Sequence, residues 1–366
     1  MKVLVVGPDR QDPGGVANYY NAVFPRLSNG EVIAHYFEIG STYGKSRIAH
    51  VVNDQIRFWR ILDQFRPDVV HLNPSLVLKS FLRDGMFIFI AKMRRKPVLV
   101  FFRGWEEPLE KKVSGILRWY FKATYGQADA FIVLASKFSD RLRHWGVTAP
   151  VHLGTTTVED GLLNSFSIEA KAGDLLETGS VRLLYLARLE RRKGVLELIE
   201  AVKGLLESGE SLTLTIAGDG PMMDHVRQMV SSFNQYQDRI HIAGYVRGQE
   251  KIDLFHTHHI FCLPTQYDEG MPNSILEAMA FGMPVITCPV GGLADFFDDP
   301  KMGVLLNDGS AHLISDAIKL LISDRTRLAD IARYNHEYAQ RHFLASSAAE
   351  LLRIRYKEVA KAIQRS

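Results

Sequence analysis

The sequence predicts an α/β protein made of two tandem, doubly wound domains, each a parallel sheet with helices on both faces. Three observations predict it. At 366 residues the chain exceeds one ordinary core and suits two domains of common size. Short apolar runs of strand length alternate with longer amphipathic runs almost from end to end, the pattern of βα units. From 159 to 180 that alternation stops, the text turns polar and glycine-containing, and a linker is expected between a first domain (1–165) and a second (180–345).

In the first half the strand candidates are KVLVVG, VIAHYFEIG, DVVHLN, PVLVFFRG, AFIVLA and VHLGTT. Each is too short for a helix and rich in β-branched or aromatic residues. Between them, GVANYYNAVFPRL, AHVVNDQIRFWRILDQF and SGILRWYFKATYG carry apolar residues at helical spacing. The second series has strands VRLLYLARL, LTLTIAG, IHIAGYV, IFCLPT, PVITCPV and GVLLN, again separated by helical segments. In LASSAAELLRIRYKEVAKAI the apolar spacing is helical and no strand follows, so 346–366 are expected to form a closing helix that packs back toward the first domain. Ligands of such sheets bind beyond the carboxyl ends of the strands, and two such domains are expected to face a deep cleft.

Composition narrows the function. With 46% hydrophobic and 23% charged residues and no biased tract, the chain is not a disordered segment. MKVLVVGPD enters an apolar strand at once, without the features of a secretory signal, so the mature chain is expected to begin there. The most lipophilic run, MFIFIAKM, is broken by Lys92, Arg94, Arg95 and Lys96 and does not span a membrane. Cys262 and Cys288 lie inside strand-like segments, as reduced buried thiols of a cytosolic protein do. The net charge of +3 hides an excess of roughly ten positive charges between Lys45 and Arg143.

The most informative segment runs Glu269-Gly270-Met271-Pro272-Asn273-Ser274-Ile275-Leu276-Glu277, after the strand IFCLPT and into a helix. Pro272 suits a helix start, where its missing N–H costs nothing, which puts Glu269 in the loop and Glu277 about one turn in. Free amides at that start suit a diphosphate, and carboxylates suit sugar hydroxyls. A capped helix with two solvated acids fits the same residues. In LARLERRKGV, Arg188 ends a strand and Lys193 opens the next helix, so both are candidates to stabilise charge developing on a leaving phosphate in place of a divalent metal. Arg191 and Arg192 fit a solvated basic helix start. IAGDGPM places Gly218 and Gly220 after a strand, but Met223 stands where a dinucleotide fingerprint needs its third glycine. Gly14 and Gly15 lie between the first strand and first helix, where they serve either close approach of a ligand or a turn needing positive φ.

On these motifs the chain closely resembles glycosyltransferase family 4. The run from Glu269 through Ala278-Met279-Ala280-Phe281-Gly282-Met283-Pro284-Val285-Ile286 matches the family's Glu, seven residues, Glu element almost throughout, and the likeness covers the second domain in order and the first more loosely. The resemblance implies a GT-B fold, two Rossmann-like domains with a nucleotide-sugar donor site in the second and the acceptor on the first. It implies that Glu269 lies by the donor sugar, that Glu277 binds the donor ribose, and that Arg188 and Lys193 are the family's cation pair. It likewise implies that Gly218 lies in its Gly-Asp-Gly-Pro turn, that Gly244 and Tyr245 hold the nucleotide base through the backbone, and that Gly270, Met271, Pro272, Asn273 and Ser274 contact the donor. Gly14 and Gly15 match a similar Gly-Gly turn. Retention at the anomeric carbon, with no metal ion and no cofactor, is implied as well.

One departure stands out. Where many family members carry a His after the fourth strand, this chain has Arg103, followed by Gly104 and Trp105, which either binds an acidic sugar or an acceptor phosphate or holds a loop through Glu106 or Glu107. KKVSGILRWYFKATY and IAKMRRK interleave cations with aromatic and aliphatic residues, a pattern of helices that dock on anionic membranes, although such aromatics also serve as core. No nucleic-acid module accompanies the basic patch. The expected function is transfer of a hexose-type sugar from a UDP- or GDP-sugar to a glycan or lipid-linked acceptor in bacterial surface polysaccharide or glycolipid synthesis, at or near the inner face of the cytoplasmic membrane. The alternatives are a nucleotide-sugar epimerase of the same fold or a non-catalytic nucleotide-sugar-binding protein.

Overall fold

The structure, a computed structural model, describes every residue except 12–13, 41–46, 268–269 and 365–366, and leaves the side chains of 47–50, 234 and 362–364 undescribed. The chain divides into two compact units, Met1–Thr157 with Ala345–Ser366, and Val158–Leu344.

In the first unit six parallel strands lie side by side in the order Ile33–Ile39, Lys2–Pro8, Val69–Leu72, Val98–Phe101, Ala130–Val133 and Val151–Leu153. Val3 sits opposite both Ala34 and Val69, so the first strand is central and flanked on both sides. The inner strands are buried on both faces, which is why they read as unbroken apolar runs instead of alternating ones. Successive residues feed opposite layers: Leu4, Val6, Val70 and Val100 join one core, Val3, Val5, Val69 and Leu99 the other. The helix Ala345–Gln364 completes the second layer. Its Ala345, Ala348, Ala349, Leu352, Tyr356 and Val359 form one stripe at helical spacing, packed with Tyr20, Val23 and Leu27 of the helix Gly15–Leu27. The Tyr356 hydroxyl meets His71 Nδ1 at 2.7 Å on the central sheet.

The stretch SGILRWYFKATYG departs from the single helix its spacing predicts. It is divided among the helix Glu107–Ser114, the short helix Arg118–Ala123 and a 3-10 turn at Tyr125–Gln127. Gly115, at φ −117° and ψ −108°, stops the first of these. A pair of two-residue strands, Ser75–Leu76 and Gly104–Trp105, was not legible in the sequence.

The second unit repeats the plan in the order Ile240–Gly244, Leu212–Ala217, Val181–Leu186, Ile260–Leu263, Val285–Thr287 and Gly303–Leu305, all parallel. Strand order reverses between Val181–Leu186 and Ile260–Leu263, the place where such sheets leave a crevice at their carboxyl edge. The stretch read as a linker is part of this unit. Val158 N donates to Phe343 O at 2.8 Å, and Ser167 caps the helix Ile168–Glu177 by accepting from Ala170 N. That helix buries Ala172 and Leu175 and sends Lys171 to the carbonyls of Phe255 and Phe255's neighbours His256 and His258, which close the helix Gly248–Thr257. Only three buried residues spread over ten positions left too weak a period to read.

Two buried histidines make this unit acid-sensitive. His258 Nε2 lies 2.7 Å from Thr215 Oγ1, and His259 accepts from Arg182 N at 3.1 Å. Burial, against weaker opposing hydrogen bonds, holds both rings at about 4. An unfolded histidine binds its proton near pH 6.5, so the stability these rings contribute is complete above that pH and is lost as pH falls toward 4. Each contributes at most about 3 kcal/mol. Thermal melts should fall steadily from pH 7 to pH 4.5, and His258→Gln should make that fall shallower; a parallel fall in the variant would contradict the assignment.

Candidate functional site

At the carboxyl edge of the second sheet, two loops are held against each other. The chain leaves the strand Val181–Leu186 through Arg188 and makes a 3-10 turn at Arg191–Lys193 before Gly194. Gly194 has φ +77°, and a Cβ there would lie 2.5 Å from the carbonyl oxygen of Pro264, so the turn rests directly on the loop that follows Ile260–Leu263. Gln266 N donates to Arg192 O at 2.8 Å, and Arg192 Nη2 donates to Gln266 O at 2.6 Å. Within this joint the two sequence-derived cations differ. Lys193 is only 9% exposed, with its ammonium 4.9 Å from the centre of the Tyr267 ring. Arg188 is 70% exposed and pairs with Glu190 at 3.1 Å. Arg191 is solvated and pairs with Glu197, as the basic helix start predicts.

The same loop leads into the helix Asn273–Ala280, with Pro272 at the cap position. Proline brings no side-chain acceptor to the first amides of that helix, and none caps them among the described residues. Met271 is buried beneath the turn, Gly270 O accepts from Gly292 N at 2.8 Å, Asn273 is exposed and Ser274 half-buried. Glu277 lies one turn in. Its side chain is 14% exposed and its Oε1 meets Lys251 Nζ at 2.8 Å. Glu269 lies outside the described residues.

A cavity of about 630 Å³ opens at the ends of Val181–Leu186, Leu212–Ala217 and Ile240–Gly244, lined by Arg188, Gly218, Asp219, Gly220 and Tyr245 over an apolar floor of Leu186, Ala217 and Val246. That size suits a small ligand. Gly218, at φ +144°, has no room for a side chain: a Cβ would stand 1.9 Å from Ala187 O. Its amide donates to Gly244 O, itself at φ +73°, across the neighbouring strand end. The crossing of the chain over itself therefore demands glycine at Gly218, whereas Gly244 is favoured only by its positive φ. Tyr245 is 74% exposed at the cavity mouth. The cavity gathers Arg188, Gly218 and Tyr245; Lys193 and residues 270–277 are not part of its lining.

In the first unit, Gly14 precedes the helix Gly15–Leu27 with φ 171°, ordinary extended backbone, and Gly15 has no positive φ. A Cβ at either position would meet nothing within 4 Å among the described residues. The turn therefore does not need glycine for its own conformation, and the positive-φ explanation fails. Arg103, after the strand Val98–Phe101, lies against Tyr19 and Phe101 instead of serving as a loop tether, and Glu107 pairs with Lys111.

Two family models match the chain, glycosyl transferases group 1 over residues 167–338 and glycosyltransferase family 4 over residues 3–155, most of its length between them. The chain belongs to glycosyltransferase family 4. It is 31% identical over 179 residues to TuaC of Bacillus subtilis, named as a teichuronic acid biosynthesis glycosyltransferase, a match covering 49% of this chain and 42% of that protein. It is 24% identical over 321 residues to a phosphatidyl-myo-inositol mannosyltransferase of Mycobacterium leprae, covering 84% of this chain and 78% of that one. Across the first five curated relatives the chain spans 42 to 61% of their length. The fold is that of HepE from Anabaena, solved in complex with UDP, with a TM-score of 0.73 at 14% identity, covering 98% of this chain and 100% of that one. This is the GT-B architecture.

For a family 4 glycosyltransferase three site neighbours went unread in the sequence. Lys251 reaches Glu277 from a helix 26 positions earlier, a pairing no local pattern encodes. Tyr267, which packs on Lys193, stands in the loop QYDEG and is the one aromatic there, a signal that was available. Asp219 lines the cavity between the two glycines, and in the sequence it is indistinguishable from an ordinary turn residue.

Proposed function

We propose that this chain transfers a hexose-type sugar from a nucleoside-diphosphate donor, UDP- or GDP-linked, to a glycan or lipid-linked acceptor, with retention and without a metal ion. The observation that carries the reading is the joint at the carboxyl edge of the second unit, where the turn bearing Arg188 and Lys193 is fastened to the loop that opens the helix of Glu277. Breaking the bond from the anomeric carbon to the diphosphate oxygen places negative charge on the leaving group. Arg188, Lys193 and the open helix amides stand ready to stabilise that charge, the task a divalent cation performs in other transferases. The acceptor hydroxyl adds to the same face of the sugar and gives its proton to the departing phosphate oxygen. Glu277 takes the ribose hydroxyls and Glu269 the donor sugar, while the apolar cavity beside Tyr245 takes the base. Family membership and the UDP bound in HepE support the donor class. The names of the relatives, teichuronic acid biosynthesis and phosphatidyl-myo-inositol mannosyl transfer, support a bacterial polysaccharide or glycolipid product. A thermal-shift panel of nucleoside diphosphates and nucleotide-sugars in EDTA tests it: one base's diphosphate should stabilise the protein, and stabilisation only with added divalent metal would overturn the metal-free reading.

An exposed apolar face of the first unit supports the lipid-linked acceptor. No helix among the described residues is long and apolar enough to cross a membrane. The helix Leu78–Met93, however, turns Leu78, Leu82, Met86, Phe89 and Met93 outward in one stripe. Tyr120 Oη donates to Leu82 O, which brings the short helix Arg118–Ala123 alongside, with Ile116 78% and Trp119 68% exposed. Lys79 on the first helix and Lys122 on the second are exposed as well, the complement of anionic headgroups. Sedimentation with phosphatidylglycerol vesicles should retain the protein, and Phe89→Asp with Trp119→Asp should weaken binding about tenfold or more at unchanged Tm, since about 2 kcal/mol of apolar burial is lost. Equal binding by the double variant would remove the surface from the reading.

A further inference from the structure

Arg103 stands at the carboxyl edge of the first unit's sheet with its guanidinium carbon 3.9 Å from the centre of the Tyr19 ring and 4.3 Å from that of Phe101. One face comes from the helix Gly15–Leu27 and the other from the strand Val98–Phe101. The residue is partly open to solvent, yet its Nε and Nη1 are covered and meet no hydrogen-bond acceptor among the described residues. The ionisable groups around it are Tyr19, Tyr20 and His71. None is an anion at neutral pH: burial pushes both tyrosines up, and burial, helped by Arg103 itself, pushes His71 down to about 3. Of the acids that follow it, Glu107 pairs with Lys111 and Glu110 with Trp105 and Arg141, and Glu106 forms no ion pair with Arg103 among the described residues.

A guanidinium keeps its charge at any pH a protein survives, and two aromatic faces with one hydrogen bond to the neutral Tyr19 hydroxyl return less than the desolvation of a cation without a counter-charge costs. A residue kept only for stability would carry a carboxylate partner or be apolar at this position. Tyr19 is also the fifth residue of a helix whose start, at Gly14 and Gly15, has no atom of the described residues within 4 Å of where side chains would begin. An uncompensated cation and an open helix start thus occupy the same edge of the sheet.

We propose that Arg103 holds an anionic group, a phosphate or a carboxylate, carried by the acceptor. The guanidinium donates to the oxygens of that group while Tyr19 and Phe101 keep its plane fixed. The inference rests on the reading that the first unit takes the acceptor, and it narrows the acceptor to one that is charged next to the hydroxyl it offers.

The test uses the full chain as wild type, Arg103→Met and Arg103→Lys, each titrated with glycerol 3-phosphate, with methyl glucuronide, with their neutral counterparts glycerol and methyl glucoside, and separately with UDP and GDP. One anion should raise the wild-type melting point by about 2 °C or more at saturation, and its neutral counterpart should not. Which anion acts distinguishes a phosphate from a carboxylate source. Arg103→Met should bind that anion at least tenfold more weakly, Arg103→Lys should keep part of the response, and both should answer the nucleotides as wild type does. Ligand-free Arg103→Met should melt at or above the wild-type temperature, because a methionine fills the slot between the rings without a charge to solvate. Four results would each overturn the proposal: no wild-type response to either anion, an equal response in Arg103→Met, a nucleotide response lost with Arg103→Met, or a ligand-free melting point that falls steeply in that variant. A wild-type response to the anion with none to any nucleotide would instead sink the donor reading and leave the Arg103 site standing.

Discussion

Glu277→Ala should weaken binding of the donor's nucleoside diphosphate by about 100-fold, the loss of about 3 kcal/mol expected when a carboxylate that accepts from two ribose hydroxyls is removed. Isothermal titration with the diphosphate that stabilises the wild type measures it. The expectation follows from position: Glu277 sits one turn into the helix Asn273–Ala280, only 14% exposed, with Oε1 engaged by Lys251 at 2.8 Å. That ion pair fixes the carboxylate, so binding through it does not cost the entropy of ordering a free side chain. The pair also separates two explanations. If Glu277 serves only to anchor Lys251, then Lys251→Ala and Glu277→Ala should have similar small effects on nucleotide binding. If it binds ribose, Lys251→Ala should cost a few-fold and Glu277→Ala the full hundred. Unchanged affinity in Glu277→Ala would end the ribose assignment.

Gly218→Ala should unfold or severely weaken the second unit while leaving the first intact. The residue holds φ +144°, a conformation side chains avoid, and its Cβ would stand 1.9 Å from the backbone oxygen of Ala187, which cannot rotate away. Strain and overlap together should cost about 4 kcal/mol or more, at the upper end of single substitutions. Urea denaturation followed by far-UV circular dichroism should then show an early transition for the second unit. Gly14→Ala is the contrast. With φ 171° and nothing within 4 Å of the added Cβ, it should change stability by less than about 0.5 kcal/mol. A Gly218→Ala protein as stable as wild type would mean that the strand ends at Gly218 and Gly244 are not joined as the Gly218 N to Gly244 O hydrogen bond has them.

Much of this was written in the chain. All twelve strands of the two large sheets were legible: the inner ones, covered on both faces, are unbroken apolar runs such as AFIVLA and IFCLPT, and the half-exposed edge strands are short β-branched or aromatic segments between helical ones. The closing helix was legible from its period: its buried stripe, Ala345 to Val359, recurs at helical spacing over about four turns. Around the site the order strand, loop, proline, helix placed Glu277, and the glycines after strands marked the carboxyl edge.

The tertiary structure alone decided the rest, wherever a residue's meaning depends on what distant chain lies against it. The sequence showed that Leu78, Leu82, Met86, Phe89 and Met93 share a face, but a period is the same whether that face meets a core or water. It showed Gly14 and Gly218 as two glycines after strands, and only the surroundings revealed that one is forced by a carbonyl 1.9 Å away and the other stands in open space. The helix Ile168–Glu177 had too few apolar positions to declare itself, and it forms because Lys171 and the helix Arg325–His342 complete it from elsewhere. For Arg103 the local text offered two acids three and four residues on, and the fold gave it two aromatic rings and no carboxylate among the described residues. Apolar patterning is local and survives in one dimension, whereas charge compensation is set by contacts across the fold, so the chain alone determined where the elements run and the fold determined what their charged residues face.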